Sequence, residues 1–123
     1  MKLKQQVTSL ELSKKLKELG VEQNSYFAWV LNNCDANIWD ETMWESYDGP
    51  NKPEILACAF TVAELGEMLP LEKCFIDIQG NEEDSWYFHV KDDRGFQMFV
   101  EDAETEANAR AKMLIYLLEN KLI

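Results

Sequence analysis

Between residues 73 and 118 the hydrophobic period changes from two to about 3.6, and that change limits what the chain can become. "KCFIDI" sets Cys74, Ile76 and Ile78 against Phe75 and Asp77. "SWYFHVK" places Trp86, Phe88 and Val90 on one face and Tyr87, His89 and Lys91 on the other. "FQMFV" does the same with Phe96, Met98 and Val100. "GNEED" and "DDRG" separate the three runs, and the second suits a type I turn closed by a left-handed Gly95. A period of two with one apolar face predicts a meander covered on one side by helices. The cover follows directly in "ETEANARAKMLIYLLENKLI", where Ala107, Ala111, Leu114 and Leu118 form a stripe flanked by Ile115 and Leu117. Thr105, or Asp102 ahead of it, is the expected N-cap, and Asn120 the expected end. Met113 and Tyr116 widen this helix's apolar surface beyond one stripe, so a loop or a second subunit is expected to cover them.

Two shorter helices are punctuated in the same way. In "VTSLELSKKLKELGV" the residues Thr8 and Glu11 read as a capping box, with Val7 placed to staple on Leu12. Leu12, Leu16 and Leu19 share one stripe, and Gly20 supplies a left-handed stop that lets Val21 fold back on Leu16. In "AFTVAELGEMLP" Thr61 and Glu64 form a second capping box, Phe60 is placed to staple on Leu65, and Pro70 follows the end. Gly66 lies at the edge of the apolar side of this helix. Its missing side chain is expected to open a notch for close packing, so that Gly66→Ala would destabilise the fold.

Between the two short helices, "SYFAWVL" reads as a strand, "NNCDAN" as a turn and "IWDETMW" as a second strand. "ESYDGPNKP" is a loop, and "EILACAF" a short extended piece. The expected order is α-β-β-α-β-β-β-α: an α+β fold with an antiparallel sheet of about four to five strands packed on one face by helices. Residues 1–123 are expected to form a single domain, with no internal repeat, low-complexity tract or linker.

Composition narrows the function classes. Hydrophobic residues make up 46% of the chain, enough for a core, yet no apolar run approaches the roughly 18 residues of a membrane span. "MKLKQQVTSL" has no continuous apolar stretch of the signal-peptide kind, so a cytoplasmic location is expected. Cys34, Cys58 and Cys74 are widely spaced and form no C-x-x-C pair, which fits unpaired thiols. A zinc site combining them with His89 would lack the local ligand spacing of such sites, and no metal or cofactor is expected. Net charge is −11; five lysines against Glu11 and Glu18 make residues 1–20 positive, which leaves −14 on the rest. That surface repels phosphate and disfavours direct nucleic-acid binding. It suits a basic protein partner or mimicry of nucleic-acid charge, and it also serves solubility.

"AFTVAELGEMLP" and "ARAKMLIYLLENKLI", supported by "VTSLELSKKLKELGV", resemble small proteins of unassigned function that recur in bacterial genomes and their phages or mobile elements. The resemblance covers about a third of the chain and implies a single-domain, cytoplasmic, accessory protein. It carries over no catalytic residue.

The densest unusual stretch is 26–48, which holds six of the fourteen aromatic residues interleaved with acids. Aromatic rings and carboxylates together can hold a basic peptide through cation–π contact and charge. The candidate binding residues are Trp39, Glu41, Trp44, Glu45, Tyr47 and Asp48. The bland alternative is that the aromatics fill the core while the acids keep the strand edges wet. No P-loop, G-x-G-x-x-G, G-x-S-x-G or calcium-loop pattern is present, so no catalytic residue is assigned. An enzyme would have to assemble a site around His89 and nearby carboxylates. A structural homodimer through the last helix is the third class.

Overall fold

The computed structural model describes residues 2–32, 34–69, 75–80, 86–91 and 97–121, of which 75–80, 87–91 and 97–102 are described as backbone. The chain is α+β. A short helix α1 (Leu3–Gln6) precedes α2 (Leu10–Glu18), β1 (Phe27–Asn32), β2 (Asp35–Asp40) and α3 (Glu41–Glu45). Then come β3 (Glu54–Cys58), α4 (Val62–Met68), β4 (Phe75–Gly80), β5 (Trp86–Lys91), β6 (Gln97–Ala103) and α5 (Glu106–Glu119).

The helix punctuation is largely as expected. In α4, Thr61 Oγ1 accepts from Glu64 N at 3.2 Å and Thr61 N donates to Glu64 Oε1 at 2.8 Å, a complete capping box. Phe60 and Leu65 are both fully buried in one cluster. Thr105 caps α5 by accepting from Asn108 N, and Asn120 ends it. After α2, Gly20 has φ +89°, its N–H donates to Lys17 O and Val21 N donates to Leu16 O, both at 3.1 Å. These are the paired bonds of a Schellman stop.

The start of α2 is a correction. Ser9, not Thr8, is the N-cap, accepting from Leu12 N. Thr8 is fully buried and committed elsewhere: its Oγ1 accepts from Phe60 N at 3.0 Å and lies 2.6 Å from Ser13 Oγ, while Thr8 N donates to Phe60 O. Val7 bridges to Thr61 and joins a different apolar cluster from Leu12, so the expected staple does not form. A tertiary pairing between residues 7–8 and 60–61 has taken over the local cap.

The strands form two antiparallel sheets of three, β2-β1-β3 and β4-β5-β6, rather than one sheet of four to five. The second is the expected meander; the segments of its two turns, Gly95 included, lie outside the described residues. β3 cannot extend the first sheet because its outer edge is occupied. Phe27 O accepts from Ala59 N, so the next pair, Ala28 and Cys58, turns its hydrogen-bonding groups outward. On that outer edge Cys58 N donates to Gln23 Oε1 at 2.9 Å, and Leu56 O accepts from Lys17 Nζ at 3.2 Å. Two side chains thus take the places of a neighbouring strand.

Residues 38–44 also differ from expectation. The strand stops at Asp40, whose carboxylate accepts from Met43 N at 2.8 Å and starts α3. An aspartate followed by Glu41 is a helix-start signal, and it overrides the aromatic spacing of "IWDETMW". β2 begins at Asp35, earlier than expected, directly after Cys34 in the left-handed region at φ 70°.

α5 is the central post. It lies against all three strands of the second sheet and against α2 and α4. Ala107, Ala109, Ala111, Met113, Leu114, Ile115 and Leu117 are all buried, in one cluster with Leu16, Phe60 and Leu65. The chain itself therefore covers Met113 completely, and Tyr116 packs half-buried against the same cluster. The first sheet has its own small cluster on one face, where Trp29 meets Val7 and Ala59, with Trp29 Nε1 donating to Thr8 O. Its opposite face is open only in part: Val30 and Cys58 are buried there, while Ile55 is exposed.

Gly66 faces α5, but loosely. Among the described residues, a Cβ placed there would meet only Arg110 Nη1, at 3.6 Å, an ordinary van der Waals distance. The expected tight notch is absent, because the helix contact at this point is made by a flexible guanidinium and not by backbone.

Candidate functional site

The partly open face of the first sheet is the floor of a cleft of about 530 Å³. Cross-strand pairing builds it: Trp39, Ala28 and Cys58 form one row across the three strands, and Val30 pairs with Ile55 in the next. Side chains directly opposite one another share a face. The small Ala28 at the centre leaves the hollow, and Trp39 stands at its side. Asp40, by capping α3, turns the chain so that Trp44 comes back over Trp39, with ring centroids 6.4 Å apart at 65°. Glu41 and Glu45, from the same short helix, line the cleft and are exposed. Tyr26, 49% exposed, forms the far wall and meets Phe27 edge-on at 4.9 Å.

A second hollow of about 440 Å³ adjoins the first, sharing Ser25, Tyr26 and Glu41 as its wall. Glu22, Glu64 and Glu67 line it. Glu64 organises this end: besides its capping role it accepts from Ser25 Oγ at 2.8 Å and from Tyr26 N at 3.2 Å. The α4 cap and the entry of β1 are therefore held by one carboxylate. Among the described residues, the two hollows are lined by six carboxylates, counting Asp40, against one lysine, Lys17. Among the described residues Glu41, Glu45, Glu22 and Glu67 form no ion pair.

Of the six residues singled out in the sequence, Trp39, Glu41, Trp44 and Glu45 line the cleft. Tyr47 does not; it packs on Trp39 at 5.9 Å, and its hydroxyl donates to Asn51 O at 2.6 Å. It is a buttress for Trp39. Asp48 is exposed in the loop between α3 and β3 and lines neither hollow. Gly49 follows because a Cβ there would collide with the Tyr47 ring. Sequence reasoning missed Glu22, Glu64 and Glu67 as neighbours of the aromatic segment, since only the fold brings α4 beside residues 22–26. It also missed Lys52, whose Nζ sits 4.8 Å from the Trp44 ring centroid.

Cys58 closes one corner of the cleft. Burial pushes its thiol above the ordinary value, and the Glu64 carboxylate adds to the effect, while the Ser25 hydrogen bond and Lys17 oppose it. Such a thiol stays protonated near neutrality and is a poor nucleophile. Cys34 sits at the hairpin tip, at the opposite end of the first sheet from Cys58, so these two cannot share a zinc ion. Among the described residues no three His, Cys, Asp or Glu side chains are grouped to hold a metal. Cys74 lies outside the described residues. The His89 backbone stands in β5 opposite Asp77 and Val100, and its side chain likewise lies outside the description.

No helix among the described residues is long and apolar enough to cross a membrane. Comparison with protein-family models, with curated proteins and with solved structures gives no match for this chain.

Proposed function

We propose that this is a non-enzymatic accessory protein that binds a basic protein partner through the cleft on the first sheet. The observation that carries the reading is the meeting of aromatic faces with unpaired carboxylates in one concave surface: Trp39, Trp44 and Tyr26 beside Glu41 and Glu45. Rings attract cations through their quadrupole and carboxylates through charge, and here both act on one concave surface. The net charge of −11 adds a long-range field that speeds the approach of a basic protein and repels nucleic acid. Mimicry of nucleic-acid charge would use the same carboxylates, but a hollow floored by Ala28 and Val30 suits a side chain better than a ladder of phosphates. A cytoplasmic setting belongs to the same proposal.

The test is a titration with hexalysine followed by tryptophan fluorescence, for the wild type and for the Trp39→Ala, Trp44→Ala double variant. Saturable, salt-sensitive binding by the wild type and its loss in the double variant are expected. Equal binding by both proteins would remove the cleft as the site.

A second reading starts from the backbone register that pairs Asp77 in β4 with His89 in β5, a residue type able to act as acid and one able to act as base. It makes the protein a small hydrolase. Turnover of ester and phosphoester substrates that disappears in His89→Gln would favour it; equal turnover, or none, would end it.

A further inference from the structure

Lys52 is exposed, comes from the loop between α3 and β3, and does not line the cleft, yet its ammonium rests on Trp44, which does. The loop that delivers it is held in shape by Tyr47, through the bond to Asn51 O and the close approach of Gly49. Lys52 gains the ring and nothing else: among the described residues it forms no ion pair. A cation entering from the cleft side would reach the same indole with Glu41 and Glu45 beside it. The resident is held by a surface cation–π contact, whereas Glu41 and Glu45 line the same cleft as Trp44 and are exposed to an incoming cation.

We propose that the cleft takes a lysine or arginine side chain from an extended basic segment of a partner protein, and that Lys52 is the internal occupant of Trp44 that this cation displaces. The proposal rests on the basic-partner reading above. It names the chemistry recognised, a side-chain cation on an indole flanked by carboxylates, and it adds a control. Because the two hollows are contiguous through Tyr26 and Glu41, a second cation on the same segment meets Glu22, Glu64 and Glu67. Lys52 raises the threshold for weak or singly charged ligands, so the site favours segments with several cations.

The test compares hexalysine binding by the wild type, Lys52→Met and Lys14→Met, the last removing one exposed charge on α2 away from the cleft. Freeing the ring should tighten binding about 2- to 5-fold in Lys52→Met. Lys14→Met should give a clearly smaller gain, from net charge alone. In a Trp44→Leu background Lys52→Met should do no more than Lys14→Met does. Should Trp44→Leu unfold, the Lys52 methylene proton resonances provide the second measurement. They should be ring-shifted in the free protein and relax to ordinary positions on saturation with hexalysine. Equal affinities of wild type and Lys52→Met, equal gains from both lysine variants, or unmoved Lys52 resonances would each overturn the exchange while leaving the basic-partner reading intact. Failure of the wild type and Lys52→Met alike to bind hexalysine, or equal binding of hexaglutamate, would overturn both.

Discussion

Replacing Gly66 by alanine decides whether α4 is held by tight packing or by ordinary helix energetics. Glycine in a helix interior costs about 1 kcal/mol relative to alanine, chiefly through the greater backbone freedom it has when unfolded. Against that gain stands the space available in the fold. The new Cβ would lie 3.6 Å from Arg110 Nη1, with no other heavy atom of the described residues within 4 Å beyond the helix and chain neighbours. Arg110 is anchored to Glu106 through Nε and Nη2, at 3.3 and 3.0 Å, so Nη1 can give way without breaking that pair. Steric cost is then close to zero, and Gly66→Ala should stabilise the protein by about 0.5–1 kcal/mol. For a chain of this size that is a rise in Tm of about 2–6 °C. Urea denaturation with an unchanged m-value and a higher midpoint is the assay. A loss of stability would show that α4 and α5 meet through backbone at this point, and would restore the tight notch the sequence suggested.

Gly20→Ala should move the other way, by about 1 kcal/mol, although no atom of the described residues would lie within 4 Å of the new Cβ, because φ +89° strains any side chain. Thr8→Val removes the acceptor of Phe60 N and the partner of Ser13 Oγ inside the core. It should cost about 1–3 kcal/mol in denaturant unfolding, whereas a mere cap at an exposed helix start would cost less. Cys58 gives a pH prediction. Its folded thiol titrates above the ordinary 9.0, so below that value both states are protonated and the fold is unaffected. As pH rises through 9.0 the unfolded thiol ionises first and wild-type stability falls, an effect absent from Cys58→Ala. The stability gap between the two proteins should therefore narrow with rising pH; a constant gap would mean the thiol ionises freely in the fold. Sedimentation at micromolar concentration is expected to give the 14.3 kDa monomer, since Met113 is covered within the chain.

The cleft's chemistry was half legible beforehand. Trp39, Glu41, Trp44 and Glu45 stand close in sequence, so composition alone marked them as unusual. Tyr47 and Asp48 were marked by the same density, but density cannot tell a lining residue from one behind it. Glu64 shows the limit most sharply. Its role toward Thr61 is readable from a spacing of three, while its bonds to Ser25 and Tyr26 span 39 and 38 residues and follow no period.

What the sequence by itself determined was everything settled within one or two turns of chain. That includes the capping box of α4, the glycine stop of α2, the three alternating strands and the apolar helix against them. Hydrogen bonds three to five residues apart and a repeating hydrophobic face are local, and the free energy that selects them is local too. Tertiary structure decided the rest. It moved the α2 cap from Thr8 to Ser9 because Phe60 claimed Thr8, and it split six strands into two sheets because Lys17 and Gln23 closed the β3 edge. It also set Lys52 on Trp44. Each of these depends on which distant group wins a particular donor, acceptor or ring, and that competition exists only once the chain has closed on itself.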